Sequence, residues 1–196
     1  MSMPREVIQH IGSEDQGMSH SHVQSTSRTA SVGLVLGGSL LMALSARISI
    51  DIGPVPFTAQ PLALAVIVAL LGWRRSSLAM IAYLIEGASG LPVFAGGASG
   101  PAVLAGPTAG YLWSYPVAAA VIGRLYSLGF ARTYVMRWAS VAAGIAIVYA
   151  SGFVVLSLFV GPTAALTAGI VPFIIPDLVK ISIAAALRPS TGAAQR

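Results

Sequence analysis

The sequence VPFIIPDLVK, residues 171–180, places an aspartate and a lysine inside a segment that is otherwise apolar enough to span a membrane. Asp177 and Lys180 are the only charged residues between positions 169 and 187, and their spacing puts both side chains on one face of a helix. A charged side chain at the centre of a bilayer costs roughly 2.5–3.5 kcal/mol. Two such residues predict a partner, a cavity or a ligand at this face, and an intrahelical ion pair is the simpler alternative.

The composition of the whole chain indicates an integral membrane protein. Of its 196 residues, 56% are hydrophobic and 9% are charged, and the mean hydropathy is +0.82. Soluble domains carry about 25% charged residues. The chain has no cysteine, which excludes disulfides and cysteine nucleophiles. Its formal charge of +5 does not indicate nucleic-acid binding, because the arginines lie between apolar segments rather than on one soluble face.

The pattern of apolar segments predicts an all-α membrane fold, with six transmembrane helices in a compact bundle. Residues 1–30 are predicted to be a disordered cytoplasmic tail, residues 31–190 the membrane domain, and residues 191–196 a second cytoplasmic tail. Most segments are near the roughly 20 residues that a spanning helix needs. The six segments are 31–50, 57–73, 77–94, 109–128, 139–159 and 169–187.

The positions of the basic residues predict the orientation of these helices. Nine arginines fall in the two tails and in the connections on one side, and only Arg47 falls on the other side, with Lys180 counted as intramembrane. Positive charges accumulate on the cytoplasmic side of membrane proteins. Both termini are therefore predicted to be cytoplasmic.

The connection at residues 91–108, between the third and fourth helices, is predicted to form a lid over a pocket that opens outward. With its flanks it contains six glycines, three prolines and no charge, and that density of glycine and proline prevents a regular helix. Irregular backbone at membrane depth is tolerated where it is buried in protein or lines a cavity. An ordinary extracellular loop, which more often carries polar residues, is the alternative.

Three charged residues within the predicted helices define a candidate ligand site. A carboxylate ligand would pair with Lys180, whereas amide or ureido N–H groups would donate to Asp177 or Glu86. Thr58 and Gln60, near the start of the second helix, would either cap that helix or offer hydrogen bonds to a ligand. Aromatic residues that could wall an apolar part of the pocket are Tyr83, Phe94, Tyr111, Trp113 and Phe173.

Small residues four positions apart on the first helix predict a contact with another helix. Gly33 is paired in this way with Gly37, and Ser39 with Ala43. Small residues at this spacing let a second helix approach closely. The pattern is common in membrane helices, so by itself it indicates a partner protein only weakly.

Common catalytic motifs are absent from the sequence. There is no phosphate-binding loop, no H-E-x-x-H and no G-x-S-x-G, so neither ATP hydrolysis nor common hydrolytic catalysis is predicted. His10, His20 and His22 give only a weak compositional indication of metal binding. We predict no catalytic residue, no metal site and no cofactor.

Four motifs occur in order along the chain: PVPFTAQ (54–60), EGASGLPVFAGGASG (86–100), LAGPTAGYL (104–112) and VPFIIPDLVK (171–180). Together and in this order they resemble the BioY family of biotin transporters, the substrate-binding S components of energy-coupling factor (ECF) transporters. The resemblance implies that Asp177 and Lys180 hold the polar ends of biotin and that residues 90–97 belong to a lid. Glu86 matches a polar position near the end of the third helix. Some family members have a basic residue where this chain has Ala98 and Ser99.

The resemblance implies high-affinity binding of biotin and its uptake across the bacterial cytoplasmic membrane. S components associate with a membrane coupling protein and two ATPases, and the small-residue face of the first helix is the expected contact. A proton-coupled secondary transporter that cycles a proton on Asp177 or Glu86 is the main alternative. An intramembrane enzyme that uses these two residues as an acid pair is a third hypothesis. The predicted substrate-binding residues are Asp177, Lys180, Glu86, Phe94, Tyr111 and Gln60.

Overall fold

The computed structural model describes residues 29–51 and 53–190, which are mostly helical. By its internal contacts the chain divides into Met1–Leu34 and Val35–Arg196. Helix α1 is Thr29–Arg47. The other helices are α2 (Gln60–Ala88), α3 (Ala109–Leu125), α4 (Tyr134–Val160), α5 (Pro162–Gly169) and α6 (Val171–Ala186). Two short strands, β1 (Ser49–Ile50) and β2 (Phe57–Thr58), pair antiparallel.

The predicted tails lie outside the described residues, with one exception. Positions 29 and 30 belong to the first turn of α1 rather than to a tail. His10, His20 and His22 also lie outside the described ranges.

Helix α2 is a hairpin of two helical halves rather than one straight helix. Gly72 has φ 74° and ψ 173°, a conformation that only glycine adopts at little cost. The Gln60 Nε2 atom donates to the Tyr83 hydroxyl at 2.9 Å, whereas a straight helix would separate these positions by about 35 Å. The chain therefore reverses at Gly72. Ser76 Oγ donates to the Gly72 carbonyl at 2.7 Å and closes the turn.

Because the chain reverses at Gly72, the helices have two ends that we name by what they contain. We call the end that contains Gly72 the turn end. There Ser190 N donates to the Ala69 carbonyl at 3.0 Å, and the buried Arg137 donates through Nε to the Ala185 carbonyl at 2.7 Å. We call the opposite end, which contains β1, β2 and residues 91–108, the pocket end.

Helix α3 packs between α2 and α4, and glycines make both contacts close. A Cβ atom at Gly110 would lie 2.3 Å from the Ser151 carbonyl oxygen on α4, and one at Gly123 would lie 2.6 Å from the Trp73 Cα atom on α2. Small residues of this kind let helix backbones approach each other. The apolar core that forms around these contacts includes the fully buried residues Met42, Leu64, Ile67, Met80, Tyr83 and Ile122.

Several element boundaries differ from those predicted from the sequence, and the segment predicted at 77–94 already ends as a helix at Ala88. The sequence predicts a connection at residues 160–168, but most of these residues form α5. This prediction is wrong because Pro162 suits the first turn of a helix. Gly161, with φ 82°, changes the direction of the chain between α4 and α5 without preventing a new helix. Helix α4 begins at Tyr134, five residues before the predicted segment 139–159. Thr133 Oγ1 caps this start by accepting from Met136 N at 3.2 Å.

Several of these helices have the length and surface of membrane-spanning segments. Within residues 29–51 and 53–190, four helical segments are long and apolar enough in total to cross a membrane: Thr29–Arg47, Gln60–Ala88, Tyr134–Val160 and Pro162–Ala186. Gln60–Ala88 reaches that length only as a whole, because its chain reverses at Gly72. Helix α3, with 17 residues, is slightly shorter than the roughly 20 that usually span a bilayer. Large apolar side chains are exposed, among them Leu158 at 81% and Ile175 at 74%. Such a surface is suited to lipid rather than to water.

Candidate functional site

A cavity of about 130 Å³ lies at the pocket end, enclosed by β2, residues 91–108 and helices α2, α3, α4 and α6. Apolar residues such as Val103, Leu112, Ile145 and Val148 form much of its wall. Its polar and aromatic lining residues are Thr58, Gln60, Phe94, Thr108, Tyr111, Tyr115, Tyr149, Phe173, Asp177 and Lys180. The cavity thus combines an apolar wall with a few hydrogen-bonding groups, as small-molecule sites usually do.

Asp177 is the centre of the polar part of this wall. Its side chain is buried, at 3% exposure, and both of its carboxylate oxygens have partners. Lys180 Nζ lies 2.8 Å from Oδ1, and the Tyr149 hydroxyl donates to Oδ2 at 2.6 Å. The ion pair that the sequence left as the simpler alternative is therefore formed. It lies in the wall of the cavity, so the ion pair does not exclude a ligand site there.

Lys180 also joins α6 to the chain around β2. Its ammonium group donates to the Thr58 carbonyl at 2.7 Å and lies 3.8 Å from the centre of the Phe57 ring. The Phe57 ring stacks on Phe173 with 6.1 Å between ring centres. A cation over an aromatic face is stabilised by the negative potential of that face. The charge of Lys180 is therefore stabilised by three groups: the Asp177 carboxylate, the Thr58 carbonyl and the Phe57 ring.

Gln60 belongs to a second, uncharged hydrogen-bonding group in the cavity. Thr58 Oγ1 lies 3.2 Å from Gln60 Oε1 and accepts from the Gln60 backbone N–H at 3.3 Å. The Gln60 side-chain amide donates to Tyr83. Thr58 thus satisfies a free amide at the start of α2 and also lines the cavity. The N-cap residue of α2 is Ala59, which has no side-chain cap, and a hydrogen bond from Thr58 or Gln60 to a ligand stays a prediction.

The loop at residues 91–108 is fixed to the helices by one buried aromatic ring and several hydrogen bonds. Phe94 is 1% exposed, its ring lies edge-on to Tyr83 at 5.4 Å, and it fills the space left by Gly87, where a Cβ atom would lie 2.0 Å from the ring. Gly100 N donates to the Gly87 carbonyl at 2.8 Å. Ala95, Ala98 and Val103 of the loop line the cavity.

Glu86 is the one predicted ligand contact that the structure does not place at the cavity. Its carboxylate accepts a hydrogen bond from Ser39 on α1, and it is not among the residues that line the cavity. The helical rotation of this half of α2 turns Tyr83 and Gly87 toward the loop and Glu86 toward α1. Contact of Glu86 with a ligand stays a prediction, and its hydrogen bond with Ser39 places it outside the lining of this cavity. Glu86 and Asp177 are not brought together as an acid pair.

The small residues of α1 face two different directions. Ser39 and Ala43 are buried, at 0% and 9% exposure, and Ala43 belongs to the hydrophobic core. Both residues pack within this chain, and their contact with a partner protein stays a prediction. Gly33 and Gly37 are exposed and have no neighbouring atoms within 4 Å of a built Cβ. The part of the prediction that rests on these two glycines remains a prediction.

Tyr149 and Tyr115 are cavity residues that the sequence did not single out. Tyr149 lies in the apolar segment 139–159 and bonds to Asp177, 28 residues away. A tyrosine within a strongly apolar helix was the available signal. Of the five aromatic residues predicted to wall the pocket, the cavity is lined by Phe94, Tyr111 and Phe173. Tyr83 packs behind Phe94, and Trp113 is 54% exposed.

The sequence of this chain is similar to those of known proteins. The family model described as the BioY family matches residues 18–196, a range that begins within the predicted tail. The biotin transporter BioY of Thermotoga maritima is 41% identical over 146 residues, which cover 74% of this chain and 85% of that protein. A probable biotin transporter BioY of Pyrococcus horikoshii is 37% identical over 153 residues, covering 78% and 90%.

A solved structure shares the fold. It is the crystal structure of the S component for biotin from an ECF-type ABC transporter, which superimposes with a TM-score of 0.74. The match covers 82% of this chain and 89% of that chain. The sequence identity is 24%, so this likeness is evidence of the fold alone.

Proposed function

The chain belongs to the BioY family, and on that premise we propose that it binds biotin for uptake as the S component of an ECF-type transporter. The observation that carries this proposal is the Asp177–Lys180 pair in the wall of a cavity at one end of the helices. Relatives that cover most of this chain are biotin transporters by name. Biotin has a ureido ring, an apolar thioether ring and a valerate carboxylate, and the cavity offers both polar and apolar walls.

The ureido ring is the part of biotin that fits the ion pair. A carboxylate next to Lys180 would also lie next to Asp177, since the two charged groups are 2.8 Å apart, and like charges at that distance repel. A ureido group is neutral and has both N–H donors and a carbonyl acceptor, so it can bond to both members of the pair. This orientation replaces the earlier expectation that Lys180 pairs with the carboxylate of the ligand.

The proposal includes a lid and six membrane spans. Phe94, Ala95, Ala98 and Val103 close one side of the cavity from the loop at 91–108, which makes that loop a lid over bound biotin. The two halves of α2, taken as separate spans, join α1, α3, α4 and the α5–α6 segment to give six. The excess of arginine at the turn end orients that end and both termini toward the cytoplasm of a bacterial cell. The cavity then faces the outside.

Uptake also needs an energy source, and the sequence has no phosphate-binding loop. We propose that a membrane coupling protein and its ATPase subunits supply it. Their contact would use Gly33 and Gly37, because both are exposed and allow close approach of another helix.

Gly37→Trp is expected to abolish biotin uptake driven by the ATPase module and to leave biotin affinity within about twofold. The indole would enter open space in the isolated chain but would hold a second helix away. The measurement is radiolabelled uptake in vesicles, together with biotin titration of the purified variant. Leu158→Trp, at an 81% exposed position on α4, is the matched control and should keep uptake. Normal uptake by Gly37→Trp would exclude this contact.

The energy source itself separates the proposal from a secondary transporter. Vesicles that contain this chain with the coupling protein and ATPases should take up biotin when ATP is supplied and should ignore a proton gradient. Uptake that follows the gradient without ATP would favour a proton-coupled carrier. Recovery of the bound ligand as unchanged biotin, by mass spectrometry, would separate either transporter from an enzyme.

A further inference from the structure

The turn end carries two arginines on one tryptophan ring. The guanidinium carbons of Arg74 and Arg124 lie 5.0 and 5.9 Å from the centre of the Trp73 indole, so they are within about 11 Å of each other. Both side chains are exposed. The close packing of Gly123 against the Trp73 backbone fixes the end of α3 to the turn of α2. The two positive charges are therefore held near one another by the fold.

Protein carboxylates do not neutralise this pair within the described residues. In residues 29–51 and 53–190 the carboxylates are Asp51, Glu86 and Asp177, and all three lie toward the pocket end. Two exposed cations that share one ring give this surface a local positive potential, which attracts anions. Planar guanidinium groups match phosphate oxygens well. The chemistry of the pair thus favours a phosphate-bearing ligand.

Each arginine stands at the end of an exposed apolar stripe. On the second half of α2, Arg74 is followed at helical spacing by Leu78, Ile81 and Ile85, which are 43–63% exposed. On α3, Arg124 is preceded on the same face by Trp113 and Val117, both 54% exposed. Each stripe therefore has a cation at its turn end and an apolar surface toward the membrane interior.

We propose that Trp73, Arg74 and Arg124 form a site for the headgroup of an anionic phospholipid, with its acyl chains along the two apolar stripes. Clusters of basic residues between helices at a membrane surface bind anionic headgroups in this way. A free phosphate ion would use the arginines but not the stripes. An acidic protein surface would use the arginines from the aqueous side.

The test is native mass spectrometry of the full chain titrated with phosphatidylglycerol or with zwitterionic phosphatidylcholine. The first phosphatidylglycerol should bind the wild-type chain about tenfold more tightly than phosphatidylcholine. Arg74→Gln/Arg124→Gln should lose this preference. Arg132→Gln/Arg188→Gln, which removes the same charge from exposed positions at the same end, should keep it.

Three outcomes would overturn the proposal. The first is an equal loss of preference in the two double variants, which would indicate diffuse charge attraction. The second is displacement of the lipid by inorganic phosphate at equal concentration, which would indicate an anion site without acyl contacts. The third is that Arg74→Gln/Arg124→Gln binds lipid as the wild type does but no longer assembles with the ATPase module. That result would assign the surface to a protein partner. Biotin titration of each variant checks its folding, and Arg124→Gln alone replaces the double variant if that one does not fold.

Discussion

Replacement of Asp177 by asparagine is expected to weaken biotin binding by about tenfold or more, because a charge-assisted hydrogen bond contributes about 1.5–3 kcal/mol. Asparagine keeps the shape of the side chain but removes its negative charge. That charge balances Lys180, whose Nζ atom lies 2.8 Å from Oδ1, and it strengthens the hydrogen bond that Oδ2 accepts from the Tyr149 hydroxyl at 2.6 Å. Lys180→Ala should have a similar effect, since it leaves the buried carboxylate without its counter-charge. Isothermal titration with biotin in detergent measures both losses.

The matched control for Asp177→Asn is Glu86→Gln. Glu86 is the other carboxylate within the helices, but it bonds to Ser39 and is not part of the cavity wall. The affinity of the Glu86→Gln variant for biotin should stay within about twofold of the wild-type affinity, because substitutions away from the cavity usually have small effects. If Glu86→Gln weakened binding as much as Asp177→Asn, the cavity would not be the binding site.

The orientation of biotin can be tested with the same variants and an uncharged ligand, biotin methyl ester. If the ureido ring contacts the ion pair, Lys180→Ala should weaken binding of biotin and of its ester by the same factor. If the carboxylate contacts Lys180 instead, the substitution should weaken binding of biotin alone. The comparison is a double-mutant cycle between one side chain and one ligand group.

Gly110→Ala is expected to destabilise the chain by about 1–3 kcal/mol, the usual cost of forcing extra atoms into a packed contact. The new Cβ atom would lie 2.3 Å from the Ser151 carbonyl oxygen, and a backbone atom in the middle of α4 cannot move aside as a flexible side chain would. Thermal unfolding in detergent should show a Tm lower by about 2–12 °C.

Gly37→Ala is the matched control for this substitution. Gly37 is also a helical glycine, but a Cβ atom there has no neighbour within 4 Å. Alanine is about 0.5–1 kcal/mol better than glycine inside a helix, so the Tm should stay equal or rise. Equal losses of Tm in the two variants would mean that the α3–α4 contact is not as close as described.

The sequence allows accurate prediction where a local pattern is sufficient. The apolar segments and the three-residue spacing of Asp177 and Lys180 depend only on neighbours in the chain, and the structure has helices in all of these segments. The turn at Gly72 lies two residues before the Arg74-Arg75-Ser76 sequence that separates two predicted segments. Helix α5 was missed because its eight residues look like a loop in a search for spans of about 20.

Contacts between helices could not be predicted in this way. Whether a side chain faces the cavity, a neighbouring helix or lipid depends on how each helix is rotated about its axis. That rotation assigned Glu86 to Ser39 instead of to the cavity, buried Ser39 and Ala43 within the chain, and brought Tyr149 to Asp177.

By itself, then, the sequence determined that this is a helical membrane protein with one acid and one base within a turn of each other in its last apolar segment. These properties follow from hydropathy and helical periodicity, which act over a few residues. Only the tertiary structure decided that the acid and base line a cavity, which residues share it, and that Arg74 and Arg124 meet at Trp73. The physical reason is that helices in a bundle are positioned by packing between distant parts of the chain, such as the close contact of Gly110 with Ser151.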